Sequence, residues 1–267
     1  MKAPARFAEI LNERLSVQAW MDPRLSRLPG VQPLAPEDWL LIDEAFAPQM
    51  AYRDWLLAHE RGVVYQQTPQ ADSAAQELCE LITAECGFSS DGHIITRPDG
   101  IQIDLTRDAA LVTAARLTQM DLCILQDAGD AHVLTAGVMC FPSSWRLTEK
   151  MGRSLMSIHS PVAEYDARIA ISVQRMFKAI RMEQPLWRAN FLIYTDPDLH
   201  QPRREGVPKP IKSAAPSYIR VERQSFRRLP KTGAVVFGIH TSIIEARRLN
   251  EAAFKTLAGL KPDVGLG

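Results

Sequence analysis

The clearest periodicity in the chain lies at Tyr165, Ile169, Val173, Met176, Phe177 and Ile180, an i, i+3/i+4 stripe that predicts an amphipathic helix starting at Pro161. Upstream, residues 122–125 and 133–140 are β-like runs flanking Asp127-Ala128-Gly129-Asp130, the pattern of an antiparallel hairpin. A further helix is expected over residues 144–158. Downstream, residues 188–195, 218–228 and 234–241 have period-two character, and Pro230-Lys231-Thr232-Gly233 joins the last two. Residues 196–216, rich in Pro and charge, are too long for a tight turn and read as an exposed loop, and residues 245–260 read as a helix.

The first part of the chain is helical and less regular. Pro36, Glu37 and Asp38 suit a helix first turn, with Trp39, Leu40, Phe46, Trp55 and Leu56 as its apolar face. Asp72 or Ser73 suits the cap of a helix through Leu78, Leu81, Ile82 and Cys86, and Gly87 its end. Residues 93–105 form a small hairpin around Pro98-Asp99-Gly100, and a short helix follows over residues 108–119. From the first long hairpin onward the order is β-β-α-α-β-β-β. This is the order of an α+β, PAS-like domain, in which helices and a five-stranded antiparallel sheet enclose a cavity; the analogy carries no function by itself. The expected division is a mainly helical N-terminal extension at residues 1–110, the PAS-like domain at 111–244, and a C-terminal helix and tail at 245–267.

With 267 residues, 46% of them hydrophobic, the chain can bury a core for one large domain or two small ones. Lys plus Arg equals Asp plus Glu at 31 each, which removes the electrostatic signature of a general nucleic-acid or anionic-membrane binder. No apolar run is long enough to cross a bilayer, and Glu9, Glu13 and Arg14 interrupt the start of the chain, so a soluble cytoplasmic protein is expected. Cys79, Cys86, Cys123 and Cys140 have neither zinc-finger nor ferredoxin spacing and read as free thiols, the first two in a helix core.

The densest run of unusual residues is Cys140-Phe141-Pro142-Ser143-Ser144-Trp145-Arg146-Leu147, followed by Lys150, Gly152, Leu155 and Ile158-His159-Ser160-Pro161-Val162. His159 falls where a side chain can project into a cavity. An imidazole there can bind iron through one nitrogen while a carbonyl or carboxylate holds the other, or it can cap the next helix; spacing alone favours the second. In residues 218–224, alternation sends Arg220, Glu222 and Gln224 to one face and Val221 and Arg223 to the other. Arg188, Asn190 and Tyr194 also share a face. Both strands fit either a pocket wall or a solvent-facing ladder of charges.

Several separated motifs resemble the α subunit of haem-dependent oxidative N-demethylase, also called dimethylamine monooxygenase, across most of the chain. They are Cys140-Phe141-Pro142-Ser143-Ser144-Trp145, Lys150 with Gly152, Ile158-His159 with Pro161-Val162, Arg188 with Asn190, and Arg220-Val221-Glu222-Arg223-Gln224 followed by Arg227-Arg228-Leu229-Pro230. Ala163, Phe191 and Ser242 depart from the family pattern, where proline, tryptophan and tyrosine are usual. The resemblance implies a PAS-fold domain holding haem b, O2 activation at the iron, and a dialkylamine that loses a methyl group as formaldehyde. It implies His159 as the proximal ligand, Trp145 packed against haem, and Arg188 and Asn190 lining the pocket. Glu222 would pair with an ammonium substrate, and Arg220 or Arg223 would serve bound oxygen or a haem propionate. His93, His132 and His240 are then ordinary polar or core residues, and His200 is exposed in its loop. The chain has no G-x-G-x-x-G fingerprint and no four-cysteine iron–sulfur arrangement, so electrons are expected from partner chains carrying the NADPH, FMN and [2Fe-2S] functions. Arg203, Arg204, Lys209 and Lys212 suit either a docking surface for such a partner or a solvated loop. The rival readings are a PAS-type haem or gas sensor without turnover, and an interaction subunit that has lost haem.

Overall fold

The computed structural model describes residues 9–25, 30–159, 167–207 and 217–261. The N-terminal third starts with a short strand β1 (Gln32–Pro33), and its first long helix is α1 (Phe46–His59). The helical turn expected at Pro36 is present only as a single 3₁₀ turn over Pro36–Asp38. The chain leaves helical geometry after it because the Asp43 carboxylate is held by His240 Nε2 at 2.9 Å and Gln119 Nε2 at 2.7 Å. After α2 (Arg61–Val64) and β2 (Tyr65–Gln67) comes α3 (Asp72–Glu85), which ends at Gly87 with φ 68° as expected. Its N-cap is Ala71, and Asp72 instead accepts from Gln67 Nε2 at 2.7 Å. Strands β3 (Ser89–Asp91), β4 (Ile94–Thr96) and β5 (Gln102–Asp104) form a separate three-stranded sheet around the expected hairpin, followed by α4 (Ala110–Arg116).

The expected hairpin is formed by β6 (Met120–Asp127) and β7 (His132–Val138). The single helix expected over 144–158 is instead two, α5 (Leu147–Lys150) and α6 (Leu155–His159). Gly152, at φ 71°, breaks it. Backbone bonds that would have continued the helix go to β7: Gly152 N donates to Leu134 O at 2.9 Å, and Leu134 N to Arg153 O at 3.1 Å. The described part of the amphipathic helix is α7 (Ala167–Ala179); its expected start at Pro161, with Tyr165, lies outside the described residues. Strands β8 (Leu186–Tyr194), β9 (Tyr218–Arg228) and β10 (Val235–Glu245) follow, then α8 (Glu251–Leu260), whose N-cap Asn250 accepts from Ala253 N at 2.9 Å. The expected loop at 196–216 is irregular over residues 196–207, and the remainder lies outside the described residues.

The main sheet is fully antiparallel, in the order β1-β8-β9-β10-β6-β7-β2. It has seven strands, not five. The two additions, β1 and β2, are edge strands of two and three residues, too short to leave a period in the sequence. One face packs on α1, α3 and α4 through residues such as Tyr52, Leu78, Ile82, Leu111, Leu122 and Ile124. The opposite face carries Cys123, Leu125, Phe226 and Ile239 and is covered by Leu155 of α6 and Phe177 of α7. Gly137 allows close approach there, since a Cβ would sit 2.9 Å from Leu147 Cδ1. All four cysteines are free thiols. No helix of the described residues is long and apolar enough to cross a membrane.

A fully buried ion pair ties the helical layer to the sheet. Arg53 of α1 bonds Asp121 of β6 at 2.7 Å, and their side chains are 0% and 1% exposed. The second carboxylate oxygen accepts from Phe141 N at 2.7 Å, and the first also accepts from Cys140 N at 3.0 Å. Removing one member of such a pair strands a buried charge, so Asp121→Asn is expected to lower unfolding stability by roughly 3–5 kcal/mol in urea titration. A loss below about 1 kcal/mol would show that the pair is dispensable to the fold.

Candidate functional site

Strand register builds the site. On the α6–α7 face, Arg188 of β8 lies opposite Gln224 of β9, and Gln224 opposite Ile239 of β10. The next row is Asn190, Glu222 and Thr241, and the one after is Leu192, Arg220 and Ile243. On the other side of the Arg188 row, Leu186, Phe226, Phe237 and Cys123 form an apolar row, with Phe226 and Phe237 stacked at 5.1 Å. The face is therefore apolar and aromatic at one end and polar at the other.

The polar end has unmet hydrogen-bonding capacity. Arg188 donates through Nη1 to Gln224 Oε1 at 3.4 Å, while its Nε, the Oδ1 of Asn190 and the Oγ1 of Thr241 are buried with no partner among the described residues. Burial pulls the Arg188 guanidinium below its ordinary value, against the opposing charge of Glu222. Among the described residues Glu222 makes only long contacts, to Arg220 Nε and to Gln224 Nε2, each at 3.4 Å. Strand β8 is half-buried along its length apart from Ala189, so this edge of the face is the accessible one.

Arg220 is the fixed point of the polar end. Wholly buried, it donates through Nη1 to Leu199 O at 3.0 Å and through Nη2 to Phe141 O. With Asp121 on the N–H side, this leaves the peptide groups at Cys140 and Phe141 fully bonded, because His200 Nδ1 lies 2.7 Å from Cys140 O. His200 is half-buried here, not exposed as its loop position implied, because Asp198 Oδ1 accepts from its N–H at 3.0 Å and turns the ring inward. The next turn is strained: Ser144 has φ 66°, held by Arg203 Nη2 to its Oγ at 2.6 Å and by Tyr194 OH, which also meets Ser143 Oγ at 2.7 Å. This loop delivers Trp145 to the edge of the apolar cluster.

The expected site residues thus divide. Arg188, Asn190, Arg220 and Glu222 share one end of the face, and Trp145 packs on the cluster beside them. Arg223 points to the opposite face, where Nη2 donates to Asp38 O at 2.7 Å and the guanidinium lies 5.5 Å from the Trp187 ring; burial lowers its pKa against the charge of Asp38. The backbone of His159 closes α6, and Leu155 and Ile158 of that helix pack on the apolar cluster; the His159 side chain lies outside the described residues. Buried Lys150 donates to Ile158 O at 2.8 Å, satisfying a carbonyl that a helix end leaves free. Its ammonium also lies 3.6 Å from Glu205. His132 and His240 are buried, the former beside Gln174 Nε2 at 3.1 Å with its pKa lowered by burial, and His93 is exposed. Arg204 is exposed, while Lys209 and Lys212 lie outside the described residues. No group of three or more His, Cys, Asp or Glu side chains gathers among the described residues as a metal cluster.

Two members of the constellation escape sequence reading. Thr241 is one; counting back from the turn at residues 230–233 sets it opposite Glu222, so the signal was present. Asp121 is the other, and nothing local marks it, because its partner Arg53 is 68 residues away.

Residues 30–261 match the family model described as haem-dependent oxidative N-demethylase, alpha subunit-like. The matched span contains every strand of both sheets and every residue of the polar rows.

Lys150→Met removes the side-chain bond to Ile158 O at the end of α6. Hydrogen exchange of the α6 amides is expected to rise, with a stability loss of about 1.5–3 kcal/mol for a charge-assisted bond. Unchanged protection of residues 155–159 would show that the helix end is held by other means.

Proposed function

The chain belongs to the haem-dependent oxidative N-demethylase, alpha subunit-like family, and on that footing we propose that it is the haem-binding catalytic subunit of an O2-dependent N-demethylase acting on a small secondary amine such as dimethylamine. The observation that carries this reading is the divided face: an aromatic and aliphatic floor running directly into a band of Arg188, Asn190, Glu222 and Gln224, in which Arg188 Nε and Asn190 Oδ1 have no partner among the described residues. The residues fit haem b on the same ground. A macrocycle is a broad apolar plate with two carboxylates at one edge, and Arg188 Nε is an unpaired cationic donor beside apolar cover from Trp145, Leu155 and Phe177. We read the five central strands, in spatial order β7-β6-β10-β9-β8, as a PAS-like core spanning residues 111–244, carrying the extension at 1–110 and the tail at 245–267.

When bound, a haem supplies the electron and dioxygen chemistry for which the chain itself has no side chain. In the net reaction dimethylammonium, O2, two electrons and two protons give methylammonium, formaldehyde and water, and the electrons come from partner chains with NADPH, FMN and [2Fe-2S] functions. His159 would hold the iron, and Lys150 fixes the helix end that carries it. Glu222 accepts an N–H of the ammonium and orients its methyl groups; Arg220, committed to two carbonyls, holds Glu222 in place as a positioning residue. Arg188 and Asn190 would meet the propionate edge. Arg223 is held on the far face, between Asp38 and Trp187, outside this site.

Protein produced with sufficient haem is expected to show a Soret band that His159→Ala abolishes or shifts. Reduced protein given O2 and dimethylamine is expected to release formaldehyde. Glu222→Gln is expected to raise the KM for dimethylamine at least about tenfold with the Soret band unchanged, as loss of a charged hydrogen-bond partner implies. An unaltered spectrum in His159→Ala contradicts the ligand assignment, and stable O2 binding with no formaldehyde leaves a gas-binding module.

A further inference from the structure

We propose that the Thr241 hydroxyl is a second hydrogen-bond acceptor for the amine cation, working with Glu222 so that the site reads the number of N–H bonds the cation carries. The proposal rests on the reading of Glu222 as the carboxylate that faces the amine. Thr241 is 1% exposed, and its Oγ1 has no hydrogen-bond partner among the described residues. A buried hydroxyl without a partner is unusual, since a strand threonine has carbonyls and neighbouring side chains within reach.

Its position says what is missing. Thr241 is directly opposite Glu222, and Glu222 is directly opposite Asn190, so three oxygen-bearing side chains lie side by side across β10, β9 and β8. Directly opposed residues on one sheet face have Cβ atoms about 4.5–5.5 Å apart, close enough for one small donor to reach both, and Thr241 Oγ1 is not bonded to the Glu222 carboxylate. Among the described residues the two outer atoms of the row, Asn190 Oδ1 and Thr241 Oγ1, have no partner, and the carboxylate between them makes only the two 3.4 Å contacts. The unmet oxygens of Asn190 and Thr241 can each accept a hydrogen bond beside the Glu222 carboxylate, and a small cation with N–H groups is a ligand that would meet them.

Glu222 takes one N–H and Thr241 the next. A dialkylammonium, with two, engages both; a trialkylammonium, with one, engages only the carboxylate. Thr241 is in this sense a specificity residue, acting on affinity and leaving the cofactor untouched.

The test uses haem-loaded protein, with amine binding read from the change in the haem absorption spectrum and, separately, from steady-state KM. Thr241→Val is expected to raise the Kd for dimethylammonium about tenfold and that for trimethylammonium by less than about twofold, while the spectrum without amine stays as in the parent. Thr241→Ser, which keeps the hydroxyl, is expected to restore dimethylammonium affinity. Should Thr241→Val fail to accumulate, Thr241→Ala is read in the same way. Unchanged dimethylammonium affinity in the hydroxyl-free variant overturns the proposal, as does an equal loss for both amines. The control is Glu222→Gln: if it weakens amine binding while Thr241→Val does not, Thr241 alone is misassigned; if neither matters, the amine site itself lies elsewhere.

Discussion

The Arg53–Asp121 ion pair is the constraint on which the rest of the structure depends. Burying both charges costs several kcal/mol per ion, and the cost is offset only because the carboxylate also accepts two consecutive peptide N–H groups. Those peptides begin the loop that carries Phe141, Ser143, Ser144 and Trp145. Their carbonyls are taken by His200 and Arg220, so that segment has little freedom left. Arg220 in turn bonds Leu199 O and lies beside Glu222. One pair between α1 and β6 thus fixes, through peptide groups and the Arg220 side chain, the position of an aromatic side chain at one end of the site and a carboxylate at the other.

The division of the sheet face follows from elementary strand geometry. Every second residue of β8, β9 and β10 points to the α6–α7 side, so a row that is apolar in one strand meets the corresponding row of the next. Phe226 and Phe237 stack because register places them opposite one another, and Asn190, Glu222 and Thr241 align for the same reason. A surface of this kind is poorly satisfied alone. Leu155 and Phe177 already cover the apolar rows, while Arg188, Asn190 and Thr241 keep atoms that nothing in the described chain meets. A ligand with an anionic edge at Arg188, and beside it a small cation, would answer that polar demand.

Much of this arrangement was legible before the fold was known. Alternation identified the strands, turn residues at 127–130 and 230–233 identified their pairing, and parity alone separated Glu222 from Arg223. The family motifs marked the loop at 140–145 and the end of α6. What was not legible came from interactions distant in sequence. Nothing near Gly152 announces that its N–H will bond Leu134 and split a helix in two, and nothing near His200 announces Cys140 as its partner. The early helix failed for a similar reason, because Asp43 answers to His240, 197 residues away. Local propensity sets what a segment prefers, and long-range polar bonds decide where it stops.

The central claim is that a porphyrin sits on the divided face with its carboxylate edge at Arg188. A crystal structure of the protein grown with haem tests it most directly. The predicted result is a planar macrocycle bound beside the polar rows of this face, with the His159 imidazole on the iron and a propionate oxygen within hydrogen-bond distance of Arg188 Nε. A structure in which aliphatic side chains fill that face, with iron bound elsewhere or absent at saturating haem, would contradict it.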